Sequence, residues 1–201
     1  MPIKAILWDI GGVLVRTMDR TPRTHLAERL GVTYAQLEET VFSGGMGTMA
    51  QLGVISSDDQ WHWAARTLGI PENEIEGFQE AFFGGDQLDT GLVDAIRSFH
   101  ASYRTGIISN ALDNTRRMLA ERWRITDAFD LIILSAEVGV MKPDARIFQM
   151  ALEGLSVAPE ETVFIDDSLH NVQGAQSVGL HAIHFHSPQQ VLEELNALLG
   201  R

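Results

Sequence analysis

The sequence predicts an α/β protein, a mostly parallel sheet flanked by helices and interrupted near its start by one all-helical insertion. Three observations carry this. From residue 90 onward, apolar strand-length runs alternate with helix-length amphipathic stretches; residues 16–86 show helical spacing with no convincing strand; and residues 5–15, AILWDIGGVLV, are an apolar run broken by one aspartate and two glycines.

Taken in order, that opening run reads as a strand buried on both faces, so Asp9 sits where the strand passes into a loop. Ligands meet open α/β sheets at such carboxyl ends. A carboxylate there is a nucleophile, a metal ligand or both, or else a turn residue capping the loop. In the insertion, Ala27, Leu30, Val32 and Leu37, then Trp61, Ala64, Ala65 and Leu68, recur at helical spacing. The glycine-rich FSGGMGTM, residues 42–49, lacks the Lys-Ser/Thr ending of a P-loop and reads as a joint between two helices. Trp61 and Trp63 point about 200° apart on a helix, so if one fills the insertion's core the other faces outward or toward a cleft.

The alternating part then reads helix 92–101, strand 104–109, helix 115–123, strand 130–134, helix 143–152, strand 161–165, helix 171–178, strand 180–185 and helix 188–199. The last helix carries its own punctuation: Ser187 as cap, Pro188 first, Gln190 placed for a capping box and Gly200 at the end. Right-handed crossovers join such strands into a parallel sheet.

At 201 residues and 45% hydrophobic, the chain suffices for one domain or a core carrying a modest insertion. A net charge of -12 argues against nucleic-acid and anionic-membrane partners. Small phosphorylated ligands remain compatible, because a local cation or metal overrides a diffuse field. With no cysteine there are no disulfides and no thiol chemistry. No secretory pattern and no apolar span of about 20 residues is present, so the expectation is a soluble cytoplasmic protein.

Polar residues gather at the strand ends. Ser109-Asn110 puts a hydroxyl and backbone amides where a phosphate oxygen is held, or forms a simple turn. Lys142 directly precedes Pro143 at a helix start, suited to neutralising an anion, or lies in a solvated loop. Asp166-Asp167 ends the fourth strand of the reading, and two adjacent carboxylates there call for a cation such as a divalent ion, or cap the next helix. Together at one sheet edge they are hard to explain as caps.

These stretches, WDIGGVL with Asp9, ISNA with Ser109, the Lys142-Pro143 pair and FIDDSLHNVQGA with Asp166, Asp167 and Asn171, resemble the four motifs of the haloacid dehalogenase-like superfamily, in the subfamily with a helical cap inserted after the first motif. The resemblance covers essentially the whole chain. It implies a Rossmann-like core of residues 1–15 and 87–201 and a helical cap of 16–86. It further implies a Mg²⁺-dependent phosphatase acting on a small phosphate monoester, such as a sugar phosphate, with Asp9 as the nucleophile that forms an aspartyl phosphate. Mg²⁺ would be held by Asp9, the Gly11 carbonyl and a motif-four acid, foremost Asp167 with Asp166 in support. Ser109 and Asn110 would bind the phosphoryl group, and Lys142 would offset its charge.

One position departs from the pattern. Most phosphatases of this family carry a second aspartate two residues after the nucleophile, as general acid and base; here that position is Gly11, which keeps the carbonyl but has no proton to give. Such help is worth ~10² to 10⁴ in rate. The expectation is therefore a substrate with a good leaving group, such as a sugar 1-phosphate, or a surrogate acid such as His62 delivered by the cap. Two alternatives stand beside the phosphatase: a metal-independent 2-haloacid dehalogenase, which leaves the acidic pair unexplained, and a phospho-ligand-binding protein with weak chemistry. His184 and His186 share one face of the last strand without a completing ligand set and read as strand-end residues, while His170 reads as a loop position beside the acidic pair. No motif speaks to the oligomeric state, monomer or homodimer.

Overall fold

The computed structural model describes residues 2–200. The chain opens with β1 (Ala5–Trp8) and turns into the short β2 (Val15–Thr17). Five helices follow, α1 (Thr21–Leu30), α2 (Tyr34–Glu38), α3 (Gly45–Gln51), α4 (Ser57–Thr67) and α5 (Ile75–Phe83), before β3 (Asp86–Leu88) brings the chain back. Then come α6 (Thr90–His100), β4 (Arg104–Ser109), α7 (Thr115–Arg117), β5 (Leu131–Leu134), α8 (Ser135–Val138) and α9 (Ala145–Leu155). β6 (Thr162–Asp166), α10 (Leu169–Ser177), β7 (His181–His184) and α11 (Pro188–Leu199) complete it.

β1 lies at the centre of a five-stranded parallel sheet in the order β5-β4-β1-β6-β7, with Trp8 in register with Ile107 on one side and Ile165 on the other. All four of its side chains are fully buried. Alternation explains how: Ile6 and Trp8 pack with Leu92, Ile96, Val191 and Leu195 on one face, Ala5 and Leu7 with Ile147, Phe148 and Ala175 on the other. Burial of each large side chain stabilises the fold by about 1.5–3 kcal/mol. Because the chain winds outward on both sides of β1, the carboxyl ends part there and open a crevice beside Asp9. The fold is the Rossmann-like α/β arrangement with a helical insert.

The insert has its own core of Leu26, Leu37, Val41, Trp61, Phe78 and Phe82. Trp61 meets Phe78 and Phe82 edge-on at 5.1 and 5.7 Å, the geometry aromatic quadrupoles favour. Among the described residues, no helix is long and apolar enough to cross a membrane.

Several local expectations change. Residues 16–86 are not free of strand: β2 and β3 pair antiparallel, Val15 opposite Leu88 and Thr17 opposite Asp86. FSGGMGTM is not a plain joint, since a single π turn (Glu39–Ser43) continues α2 and α3 already starts at Gly45. Pro143 does not open the next helix; Asp144 caps it, accepting the Arg146 N–H, and α9 begins at Ala145. The predicted helix 115–123 is α7 followed by a π turn (Met118–Arg122), and α8 falls where none was predicted. By contrast β4 and α11 span 104–109 and 188–199, α11 with the Ser187–Gln190 capping box in place.

Candidate active site

Asp9 is the first residue beyond β1, and its N–H still donates to the Ile165 carbonyl at 2.9 Å, so the ladder to β6 fixes its backbone. Its Oδ1 accepts from the Ile10 N–H at 2.8 Å and lies 2.7 Å from Lys142 Nζ. The following loop is a small knot: the Ile10 carbonyl accepts from the N–H groups of Val13 and Val15, and the Gly12 N–H donates to the Val15 carbonyl. The Gly11 carbonyl takes no part in it. Gly12 has φ +75, and a Cβ there would stand 2.0 Å from Asp167 Oδ2, so only glycine lets that carboxylate close onto the loop. At Gly11 a Cβ would meet nothing within 4 Å.

Lys142 is buried, and its ammonium bridges Asp9 and Asp166, the latter at 2.6 Å. Asp166 is fully engaged: it also accepts the Ser168 N–H at 2.8 Å and the Asn171 amide at 3.1 Å. The Asn110 side chain has a part of its own. It grips the Lys142 peptide from both sides, accepting the Lys142 N–H at 2.8 Å and donating to its carbonyl at 3.0 Å. That side chain therefore aims the lysine, while Asn110 also lines the cleft, where its backbone amide is the group left for a phosphate oxygen. Ser109, buried at the end of β4, stands near enough to the Asp9 carboxylate to lower its pKa slightly and lines the cleft.

Burial is the main force on Asp9 and pushes its carboxyl up to about 6; Lys142 pulls it down and the Asp166 charge pushes it up again. Asp167 is raised too, first by burial and then by Asp166. The carboxylates of Asp9, Asp166 and Asp167 offer oxygen atoms all within 4.8 Å of one another. Three anions face one ammonium here, so a hard divalent cation fits the residual charge and the all-oxygen donor set. Asp9, Asp167 and the Gly11 carbonyl have the free oxygens, while Asp166 holds the lysine behind them.

These groups floor a cleft of about 500 Å³ roofed by the helical insert. The roof is pinned to the core where Ser135 donates to the Gln51 carbonyl at 2.6 Å and the Ser57 N–H donates to Asp113 at 3.3 Å. Arg23 was not anticipated. Buried, it donates to Glu38 at 2.6 Å, Asp86 at 3.1 Å and the Phe82 carbonyl at 3.0 Å, tying the insert to β3 at the cleft wall. A base in the first turn of α1, where acids are favoured, was its one sequence signal. His62 is outside the cleft lining: its ring lies 2.8 Å from the Asp58 carbonyl and 3.5 Å from Glu72, which removes it as a surrogate acid. Of the Trp61–Trp63 pair, Trp61 fills the insert's core and also lines the cleft. β7 ends at His184, whose Nε2 lies 2.8 Å from the Asp167 carbonyl and whose ring centroid lies 4.2 Å from that of His186 just beyond the strand.

A family model described as haloacid dehalogenase-like hydrolase matches residues 3–179. The chain is 28% identical over 202 residues to the sesquiterpene phosphatase of Aspergillus oryzae, covering 98% of this chain and 97% of that protein. It is 25% identical over 206 residues to the D-ribitol-5-phosphate phosphatase of Bacteroides thetaiotaomicron, covering 98% and 99%. Among solved structures, a haloacid dehalogenase-like family enzyme of Bacteroides thetaiotaomicron in complex with magnesium and inorganic phosphate superposes with a TM-score of 0.73 at 25% identity, covering 90% of this chain and 93% of that one.

Proposed function

The chain belongs to the haloacid dehalogenase-like hydrolases, and from that premise we propose that it is a Mg²⁺-dependent phosphatase that hydrolyses a small phosphate monoester through an aspartyl phosphate on Asp9. One observation carries the reading: loops far apart in sequence bring Asp9, Lys142, Asp166 and Asp167 together at the carboxyl ends of β1 and β6, with Lys142 Nζ 2.7 Å from Asp9. The two phosphatase relatives and the neighbour holding magnesium and phosphate support it. In this reading residues 1–15 and 87–201 are the catalytic core and 16–86 the cap. Metal-free dehalogenation leaves the acidic trio without a role.

Asp9, Asp167 and the Gly11 carbonyl are the ligands for Mg²⁺, which when bound supplies the positive charge that lets a carboxylate and a phosphate dianion approach. Oδ1 of Asp9 is held by Ile10 and Lys142, and of the two carboxylate oxygens one would hold the metal while the other attacks phosphorus. Lys142 keeps that carboxylate ionised and neutralises charge on the phosphoryl oxygens. Asp166 and Asn110 hold the lysine in place, Ser109 receives a phosphoryl oxygen, and the roof keeps bulk water from the reacting atoms.

The test is phosphate release from a broad panel of monoesters with Mg²⁺, with EDTA, and with Asp9→Asn. Release that needs Mg²⁺ and is lost in Asp9→Asn is the expected result; release that survives the substitution refutes the assignment.

A further inference from the structure

Resting on that reading, we infer that the substrate is an aryl or enol phosphate, a monoester whose leaving oxygen departs without a proton and whose organic body is apolar. In the first step a bond forms between an Asp9 carboxylate oxygen and phosphorus while the bond from phosphorus to the ester oxygen breaks, its electron pair staying on that oxygen. An ordinary alkoxide needs a proton as it leaves. The titratable groups facing the cleft are Asp9, Asp167, Glu38, Asp86, Arg23 and Arg122. Asp9 is the nucleophile and Asp167 is a carboxylate that would hold the metal. Glu38 and Asp86 are ion-paired with Arg23 at 2.6 and 3.1 Å, so they are acceptors only, and arginines do not release protons. The Thr17 hydroxyl is engaged on Asp86 at 2.6 Å. Beside Asp9, where an acid could stand, Gly11 leaves open space. The leaving oxygen must therefore take its proton from water after departure, and in the second step water attacks the phosphorus on Asp9 and returns the carboxylate and inorganic phosphate. Phenol and enol oxygens leave in this way.

The rest of the cleft describes the body. Its lining beyond the polar floor includes Phe42, Trp61, Phe83, Met118 and Trp123. Gln51, Asn114, Thr115 and Arg122 stand at its margins. At ~30 Å³ for each water-sized group, about 500 Å³ admits roughly 17 non-hydrogen atoms, about a dozen of them beyond the phosphate: one or two rings. A sugar would press hydroxyls against the aromatic part of this wall at a cost of about 1–3 kcal/mol for each one left unpaired. The wall thus displaces the sugar 1-phosphate expected from Gly11 alone.

The test compares kcat/KM, which reports the chain of steps through the first phosphorus–oxygen cleavage, for p-nitrophenyl, phenyl, benzyl and glucose 1-phosphates in saturating Mg²⁺. Phenyl and benzyl phosphates differ little in shape but much in the basicity of the departing oxygen. The expected result is a fall of at least ~10² from p-nitrophenyl to benzyl phosphate, with phenyl between them and glucose 1-phosphate below phenyl. Benzyl phosphate within about tenfold of p-nitrophenyl phosphate, or a preference for glucose 1-phosphate over phenyl phosphate, overturns the inference while leaving the phosphatase standing. No turnover of any of the four overturns both.

Discussion

Replacing Lys142 by methionine keeps the side chain's length and removes its charge from between two carboxylates. The lysine side chain is fully buried and its ammonium lies 2.7 Å from Asp9 and 2.6 Å from Asp166. At an effective dielectric of about 20 each contact amounts to about 6 kcal/mol before desolvation. Desolvation offsets much of this, and removing one partner of a buried pair costs about 3–5 kcal/mol net. For a domain of this size, at ~2–4 °C per kcal/mol, metal-free Lys142→Met should melt about 6–20 °C below wild type at pH 7.5, read by circular dichroism in EDTA. With the cation gone the Asp9 carboxyl rises further above about 6, so acidification should return part of the loss. Phosphate release in Mg²⁺ should fall by ~10² to 10³. Adding Asp166→Asn should recover part of the melting temperature and none of the rate, since the buried charge is relieved but the phosphoryl group still lacks its cation. A melting shift under about 2 °C together with a rate loss under about tenfold would refute the reasoning.

Other perturbations probe the rest of the site. Gly12→Ala forces a side chain into a backbone at φ +75 and to within 2.0 Å of Asp167, so it should cost about 1–3 kcal/mol and weaken Mg²⁺ binding in calorimetric titration. Asp9 has a higher pKa folded than unfolded, so its contribution to stability is complete below its ordinary value and is lost as pH rises through about 6. In EDTA, the melting temperature of wild type relative to Asp9→Asn should therefore drop as pH is raised through that range, and Mg²⁺ should stabilise wild type more at pH 7.5 than at pH 5.5. Gly11→Asp fits the open space beside the nucleophile and should raise the benzyl to p-nitrophenyl ratio of kcat/KM by about 10².

Chain-local chemistry explains what could be read in advance. β1 announced itself because a strand covered on both faces must be apolar throughout, and α11 because its cap, proline and terminal glycine are all neighbours in sequence. Asp9 and the acidic pair were legible because ionisable groups at the ends of buried strands have few other reasons to be there, and Lys142 because it directly precedes a proline. The parts that escaped depend on contacts between distant residues. β2 and β3 are three residues each and exist only through one another, so neither has a period to detect. The grip of the Asn110 side chain on the Lys142 peptide spans 32 positions of sequence, and the turn of the His62 ring toward Asp58 and Glu72 depends on how the insert folds. Arg23 gathers partners at 38, 82 and 86, a grouping no local pattern encodes.

The chain departs for the insert at Thr17 and re-enters at Asp86, and those two residues stand directly across from each other, joined by the Thr17 hydroxyl. Topologically, everything between them is one closed loop whose ends meet at that pair, with Gln51 and Ser57 as its other footholds on the core. Closure entropy grows by only about 0.6 kcal/mol for each doubling of loop length, so the sheet is nearly indifferent to how long that loop is. The roof can therefore be exchanged, lengthened or rebuilt for a different guest while the floor that breaks the ester bond keeps its shape.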